Sequence, residues 1–310
     1  MRKAAFGAAL FWVAVSGCRS DVRVTHPHVD GARPVLATAA SEDGPAISSN
    51  GALAWMQSAR VNRIPPRSRA NVFVRIGATT RRVNPRGTFA QTGGFDGDSL
   101  VVQIVEGGRS RLARYSLKTH RLSYLRPAIN DGAWVWRPDA DDRRILYGAI
   151  VSGTHAPLAY EIRVADLRTG HIRVLTRLDG HAQYAAPGQL RGDWATWVEC
   201  PESTCNVWRA NLRTGVVEDA PDPDHLVYTQ VAPTVDGDGV VYYERTLATC
   251  GKAEIRRWNG RSDSLVRRLP SRFAYEYGYL TQSAKTLYFD LGSCSRNATD
   301  DIYSLPIHGS

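Results

Sequence analysis

The chain lacks the marks by which most function classes announce themselves in sequence. Its 310 residues hold only 4 Lys against 35 Arg, no basic block exceeds two or three residues, and the formal charge of +9 is spread thinly. With no nucleic-acid-binding motif either, nucleic acid is not an expected partner. Net charge alone supports only non-specific attraction to anionic envelope polymers. Long helical periodicity is absent. No G-x-S-x-G elbow, H-E-x-x-H, P-loop or G-x-G-x-x-G occurs. No C-x2-C or Cys/His spacing fits zinc, so neither a metal nor another cofactor is expected. Past the first residues, no segment is apolar enough to cross a bilayer.

What the chain does have begins with MRKAAFGAALFWVAVSGCRSD. Arg2 and Lys3 precede an apolar run from Ala4 to Val15, too short for a spanning helix and ending in small residues, as in a secretory signal. Val15-Ser16-Gly17-Cys18 has the form of a bacterial lipobox, in which the Cys thiol takes a diacylglyceryl group and becomes the first mature residue. A plain signal peptide with a chance Cys is the competing reading. Five Cys is an awkward count for an exported chain. Assigning Cys18 to lipid leaves four, which an oxidising compartment favours pairing. Cys200 with Cys205 would clamp a short loop, and Cys250 with Cys294 would form the second bridge. The expected organisation is a signal peptide over 1–17, a lipid-anchored segment over 18–40 and a repeat domain over 41–310.

The repeat is the strongest feature. EIRVADLRTGHIRVL, from Glu161, returns as NVWRANLRTGVVEDA from Asn206, with looser copies from Asn71, Arg111, Glu254 and Asp301. The matching apolar positions are Val72, Leu112, Ile162, Val207, Ile255 and Ile302, spaced 40, 50, 45, 48 and 47 residues apart. Each copy alternates apolar and polar residues around Thr-Gly, Thr-His or Asn-Gly, the pattern of a hairpin. Upstream of each sits a second β-rich signature, as in GPAISSNGALAWMQ from Gly44 and APTVDGDGVVYYE from Ala232. There Asp96-Gly97 and Asp236-Gly237 predict type I′ turns with the Gly at positive φ. Two hairpins per unit make four strands. Six such units predict an all-β protein, a six-bladed β-propeller of four-stranded antiparallel blades. The sixth unit stops after its third strand, so an N-terminal run, Val22 to Thr25 or Pro34 to Thr38, is expected to close the ring.

The unit WRPDADDRRILYG with IRVADLRTGHIRVL resembles the WD40-like repeat of TolB-type six-bladed propellers. Trp136, Pro138, Asp139, Ile145, Ile162, Asp166, Leu167, Thr169 and Gly170 hold the repeat's places. The match is sharp in only two units. Nothing here corresponds to the domain that precedes the propeller in TolB, nor to a hydrolase domain after it. The resemblance therefore implies fold and compartment, and TolB's partner interactions do not carry over.

In such a ring the loops joining strand 2 to strand 3, and strand 4 to the next strand 1, share one face. This loop-rich face carries Arg60, Arg63, Arg67, Arg69, His155 and both expected disulfides. Residues just before each first strand should line its funnel mouth: Trp134 and Trp136, His181 and Tyr184, His225 and Tyr228, Tyr275, Glu276 and Tyr277. Aromatic rings with polar tips suit glycan or peptide contact, although rings of this kind also fill the space between blades. Asp96, Asp98, Asp236 and Asp238 are expected to form turns rather than bind calcium. Of the ionisable residues, only His181, His225 and Glu276 can be placed near one mouth. The expected function is non-catalytic recognition of an envelope protein or glycan on the outer side of a bacterial membrane, by a lipid-anchored monomer. A propeller hydrolase or lyase acting on carbohydrate is the alternative. Three or more His, Asp or Glu converging in the funnel would favour it.

Overall fold

The computed structural model describes residues 28–38, 40–58, 70–151, 159–180, 184–201, 204–222, 229–246, 253–270, 279–283, 285–292 and 300–307. Their strands form six four-stranded antiparallel sheets, the blades of a propeller, and no helix occurs among them. In chain order the blades span 41–82, 89–124, 134–179, 184–219, 229–269 and 280–306. The repeat positions Val72, Leu112, Ile162, Val207, Ile255 and Ile302 each fall on a third strand and are at most 1% exposed. Period-2 alternation alone put them on one face, and the neighbouring blade covers that face.

The outer hairpins follow their local chemistry. Gly170 has φ +79°, and His120 takes the same left-handed place at +56°. Before the first of these turns, Asp166 Oδ1 accepts the Arg168 and Thr169 N–H groups at 2.8 and 2.6 Å. Those bonds hold its carboxyl below the usual range. The inner turn of blade 5 differs from the expected one. The left-handed residue is Gly239 at +83°, not Gly237. Asp236 Oδ1 accepts the N–H groups of Asp238 and Val240, in a loop of residues 236–240 that follows the last ladder pair, Val235 with Val241.

The ring closes as the strand count requires. Arg33–Leu36 pairs antiparallel with Asp300–Pro306, matching Arg33 to Ser304 and Leu36 to Ile302. This is the second of the two expected runs. Val22 to Thr25 lies outside the described residues, as do the signal peptide, Cys18, Cys250 and Cys294.

Among the described residues the apolar core is divided. Six apolar clusters lie one at each junction between blades. Both faces of a blade are thus buried, and only its innermost and outermost strands meet other surroundings. Crowding is greatest near the axis. A Cβ on Gly94 would stand 2.5 Å from the backbone nitrogen of Ala140 and would overlap Asp139 Oδ1. Gly94→Ala is therefore expected to force blades 2 and 3 apart and lower the melting temperature by several degrees, about 1–3 kcal/mol of overpacking. Gly237→Ala, with nothing within 4 Å, is the control and should melt as wild type in the same calorimetry.

Candidate functional site

The inner strands all face the central channel, and five of them bulge at the same place. The ladder shifts between Asp43 and Ala46, Thr92 and Phe95, Trp136 and Asp139, Pro187 and Leu190, and Val231 and Thr234. The first residue inside each bulge is Gly44, Gly93, Arg137, Gly188 and Ala232. Four blades place a small residue there because five bulges converge on one axis. Blade 3 places Arg137, in a left-handed conformation at φ +45° that costs an ordinary residue about 1 kcal/mol or more.

Arg137 uses that position to cross the channel. Its Nε donates to the Tyr279 hydroxyl of the opposite blade at 3.1 Å, and its guanidinium lies 4.1 Å from the Tyr279 ring centroid. Other bonds lash the blades together beside it. Gln189 Nε2 donates to Thr281 Oγ1 at 2.5 Å, and Thr234 Oγ1 donates to Gln189 Oε1. Asp139 Oδ2 accepts the Leu190 N–H at 2.7 Å and pairs with Arg191 at 3.1 Å. Beside these bonds the axis keeps a cavity of about 50 Å³, with residues of all six inner strands in its wall, and at the inner-turn end it widens into one of about 350 Å³ bordered by Ser48, Asp141, Arg191 and Gln282.

At the loop-rich end of this channel four carboxyl groups gather. Asp43 comes from the inner strand of blade 1, Glu244 from the second strand of blade 5, Asp290 and Asp300 from the second and third strands of blade 6. Glu244 is 8% exposed, whereas the three Asp are half-buried. Ser41 Oγ donates to Asp300 Oδ2 at 2.8 Å, and the Tyr279 N–H donates to Asp290 Oδ1 at 2.5 Å. Among the described residues, Asp43 Oδ1 and Glu244 Oε1 are buried without a hydrogen-bond partner.

Each of the four is harder to ionise than usual. Burial, then the charge of Asp290, pushes Glu244 up to about 8. Burial, then Asp300, pushes Asp290 up to about 7. Asp43 is held well above the carboxylate range by burial, Asp290 and Asp300, against the pull of Arg137. Burial raises Asp300 too, and its bond from Ser41 opposes the shift. Carboxyl groups that titrate near neutrality can give or take a proton. Ionised together, they face a cation with excess negative charge.

Sequence reasoning missed this cluster. Its members hold unremarkable places in four different strands, and only ring closure brings blades 1, 5 and 6 together. Arg137 did leave a signal, as the one large residue in a slot that is Gly or Ala elsewhere.

Three of the expected mouth residues are described. Tyr184 begins the inner strand of blade 4 and stacks with Trp136 at 6.5 Å, while Tyr160 meets both rings edge-on at 5.8 and 5.6 Å. Trp136 is buried against Gly148, where any Cβ would strike its ring, so it packs within the fold. Trp134 is 41% exposed, in a surface groove with Asp131, Ile150 and Arg163 rather than in the wall of the axial cavity. His181, His225, Tyr228, Tyr275, Glu276 and Tyr277 lie outside the described residues. Cys200 and Cys205 are joined as expected, beside the strand that carries Tyr184. Among the described residues no group of three or more His, Cys, Asp or Glu is arranged to hold a metal ion.

No protein-family model matches the sequence, and no curated protein matches it. Solved structures do match in shape. TolB from Acinetobacter baumannii superposes with a TM-score of 0.51 at 13% identity, over 84% of this chain and 64% of that one. In fold, the chain is TolB-like. It spans just under two thirds of that relative's length, and the TolB-like ring has enzymatic neighbours too. The Trypanosoma rangeli sialidase in complex with the inhibitor DANA gives 0.54 at 12% identity, over 90% of this chain and 58% of that one. An oligogalacturonate lyase in complex with manganese gives 0.53 at 10% identity, over 87% and 90%. At these identities the TolB-like likeness is one of fold.

Proposed function

We propose that the protein is a non-catalytic binding propeller, held by lipid on Cys18 at the outer side of a bacterial membrane, which recognises a protein or glycan at its loop-rich face. The observation that carries this reading is the barrier across the axis. With Arg137 laid across to Tyr279 beside a cavity of about 50 Å³, a polymer cannot thread the channel from the loop-rich face and meets the ring at its mouth. Supporting the compartment are the lipobox and the Cys200–Cys205 bridge.

Cys18→Ser should move the protein from the membrane to the soluble fraction, and wild type should carry an acyl mass on its first residue. The purified protein, immobilised through its C terminus, should retain envelope protein or glycan without turning it over. Membrane retention of the Ser variant would end the lipid-anchor reading.

One observation favours a second reading, a hydrolase or lyase acting on carbohydrate. Four carboxyl groups with raised proton affinity meet at the mouth, as acid–base chemistry on a glycosidic bond requires. Turnover of an oligosaccharide panel by wild type, lost in Glu244→Gln and in Asp290→Asn, would establish it in place of the first.

A further inference from the structure

We propose that the carboxylate cluster at the channel mouth is a socket for the cationic tip of a protein side chain, a lysine ammonium or arginine guanidinium presented by a partner. This rests on the binding reading above and names the chemistry of the contact.

The charge count is the first ground. Among the described residues, Arg137 is the one guanidinium that acts on Asp43 and Asp290, and Tyr279 engages it as well. The second ground is independent of that count. Glu244 is more than nine-tenths buried, faces Asp290, and has an oxygen with no donor; Asp43 has another. Neither side chain serves the lashing of the blades, which Gln189, Thr234, Thr281 and Asp139 accomplish. Buried carboxylate oxygens without donors are costly to keep. An incoming ammonium would supply the missing donors as charge-assisted bonds.

Charge and donor count select the class of occupant, because the unpartnered oxygens of Asp43 and Glu244 can only accept and an ammonium or guanidinium can only donate. The axial cavity of about 50 Å³ begins beyond them at Gly44, next to Asp43, and Tyr279, bonded to Asp290, and none of the four carboxyl groups lines it. The four carboxyl groups do not converge as a metal-ligand set.

Proton uptake gives the inference its own signature. Without a cation the cluster holds protons near neutrality, under the influence of Glu42, Asp301, Arg137 and Tyr279 as well as its own members. A bound cation favours the ionised forms and expels those protons.

The test uses the full-length protein and two probes: a capped Gly-Lys-Gly peptide and the same peptide with an acetylated lysine. Titration calorimetry at pH 7.5 should show the lysine peptide binding about tenfold or more tightly than its acetylated twin. Its heat should depend on the buffer's ionisation enthalpy, and its affinity should fall as the pH drops to 6. Glu244→Gln and Asp43→Asn should each weaken it about tenfold while folding at least as well as wild type. Equal binding of the two peptides, or unchanged binding by both variants, would overturn the inference. So would displacement of the lysine peptide by calcium or by an oligosaccharide at lower concentration. If the peptide fails while envelope material is still retained, this inference alone falls. If nothing is retained and carbohydrate is turned over, the binding reading falls with it.

Discussion

Deleting residues 28–38 should lower the melting temperature by about 10 °C or more. The segment is short, but three interfaces depend on it. Val29 is 2% exposed in the cluster between blades 5 and 6. Val35 and Leu36 pack on Leu53, Trp55 and Ile302 between blades 6 and 1. Each buried Val or Leu is worth about 1.5–3 kcal/mol. Losing several, together with the ladder to Asp300–Pro306, removes on the order of 5 kcal/mol. For a domain of this size each kcal/mol moves the melting point by about 2–4 °C. The deletion also leaves Asp300–Pro306 as a bare edge, so light scattering should show concentration-dependent association. Val29→Asp should reproduce part of the loss. An unchanged calorimetric transition would mean that the ring is closed in some other way.

The protein should also be more stable at pH 5 than at pH 9, and Glu244→Gln should abolish much of the difference. Glu244 titrates at about 8 in the folded chain against an ordinary value of 4.5, and Asp290 at about 7 against 3.8. A raised carboxyl favours the fold fully below its unfolded value, and that advantage is lost as the pH climbs through the folded value. The window for Glu244 is therefore pH 4.5 to 8. At 1.36 kcal/mol per unit, its ionisation costs about 4 kcal/mol by pH 9. Asp290 is one cause of that shift, so the two contributions overlap rather than add. Glu244→Gln keeps the shape and removes the charge. It should melt several degrees above wild type at pH 9 and close to it at pH 5. A variant that melts lower at pH 9 would show that the Glu244 carboxylate is paired and favourable.

Both results bear on how a cluster of this kind persists. A ring closed by Arg33–Leu36 and six interblade clusters carries a mouth rich in carboxyl groups and, among the described residues, poor in donors to them. A site that binds a cation is expected to be strained without it, because the same carboxylates that would attract the ligand repel one another in its absence.

Much of this molecule can be read from the chain because the relevant physics is local. Alternation with period two, turns at Thr169-Gly170 and Thr214-Gly215, and a unit length near 46 residues identify strands, hairpins and blade count. The count of third strands even requires a strand from the N terminus. Each of these features depends on neighbours within a few residues, or on repetition itself.

The mouth is different. Trp134 and Trp136 alternate identically in sequence, yet one is exposed and the other buried, because the packing within and between blades decides which ring is covered. Gly239 rather than Gly237 takes the left-handed turn, with Trp194 packed hard against it. Asp43, Glu244, Asp290 and Asp300 are separated by up to 257 residues and meet only when the last blade is sealed beside the first. Their shifted proton affinities arise from shared burial and mutual repulsion. Those are properties of the closed ring, and no stretch of the chain holds them by itself.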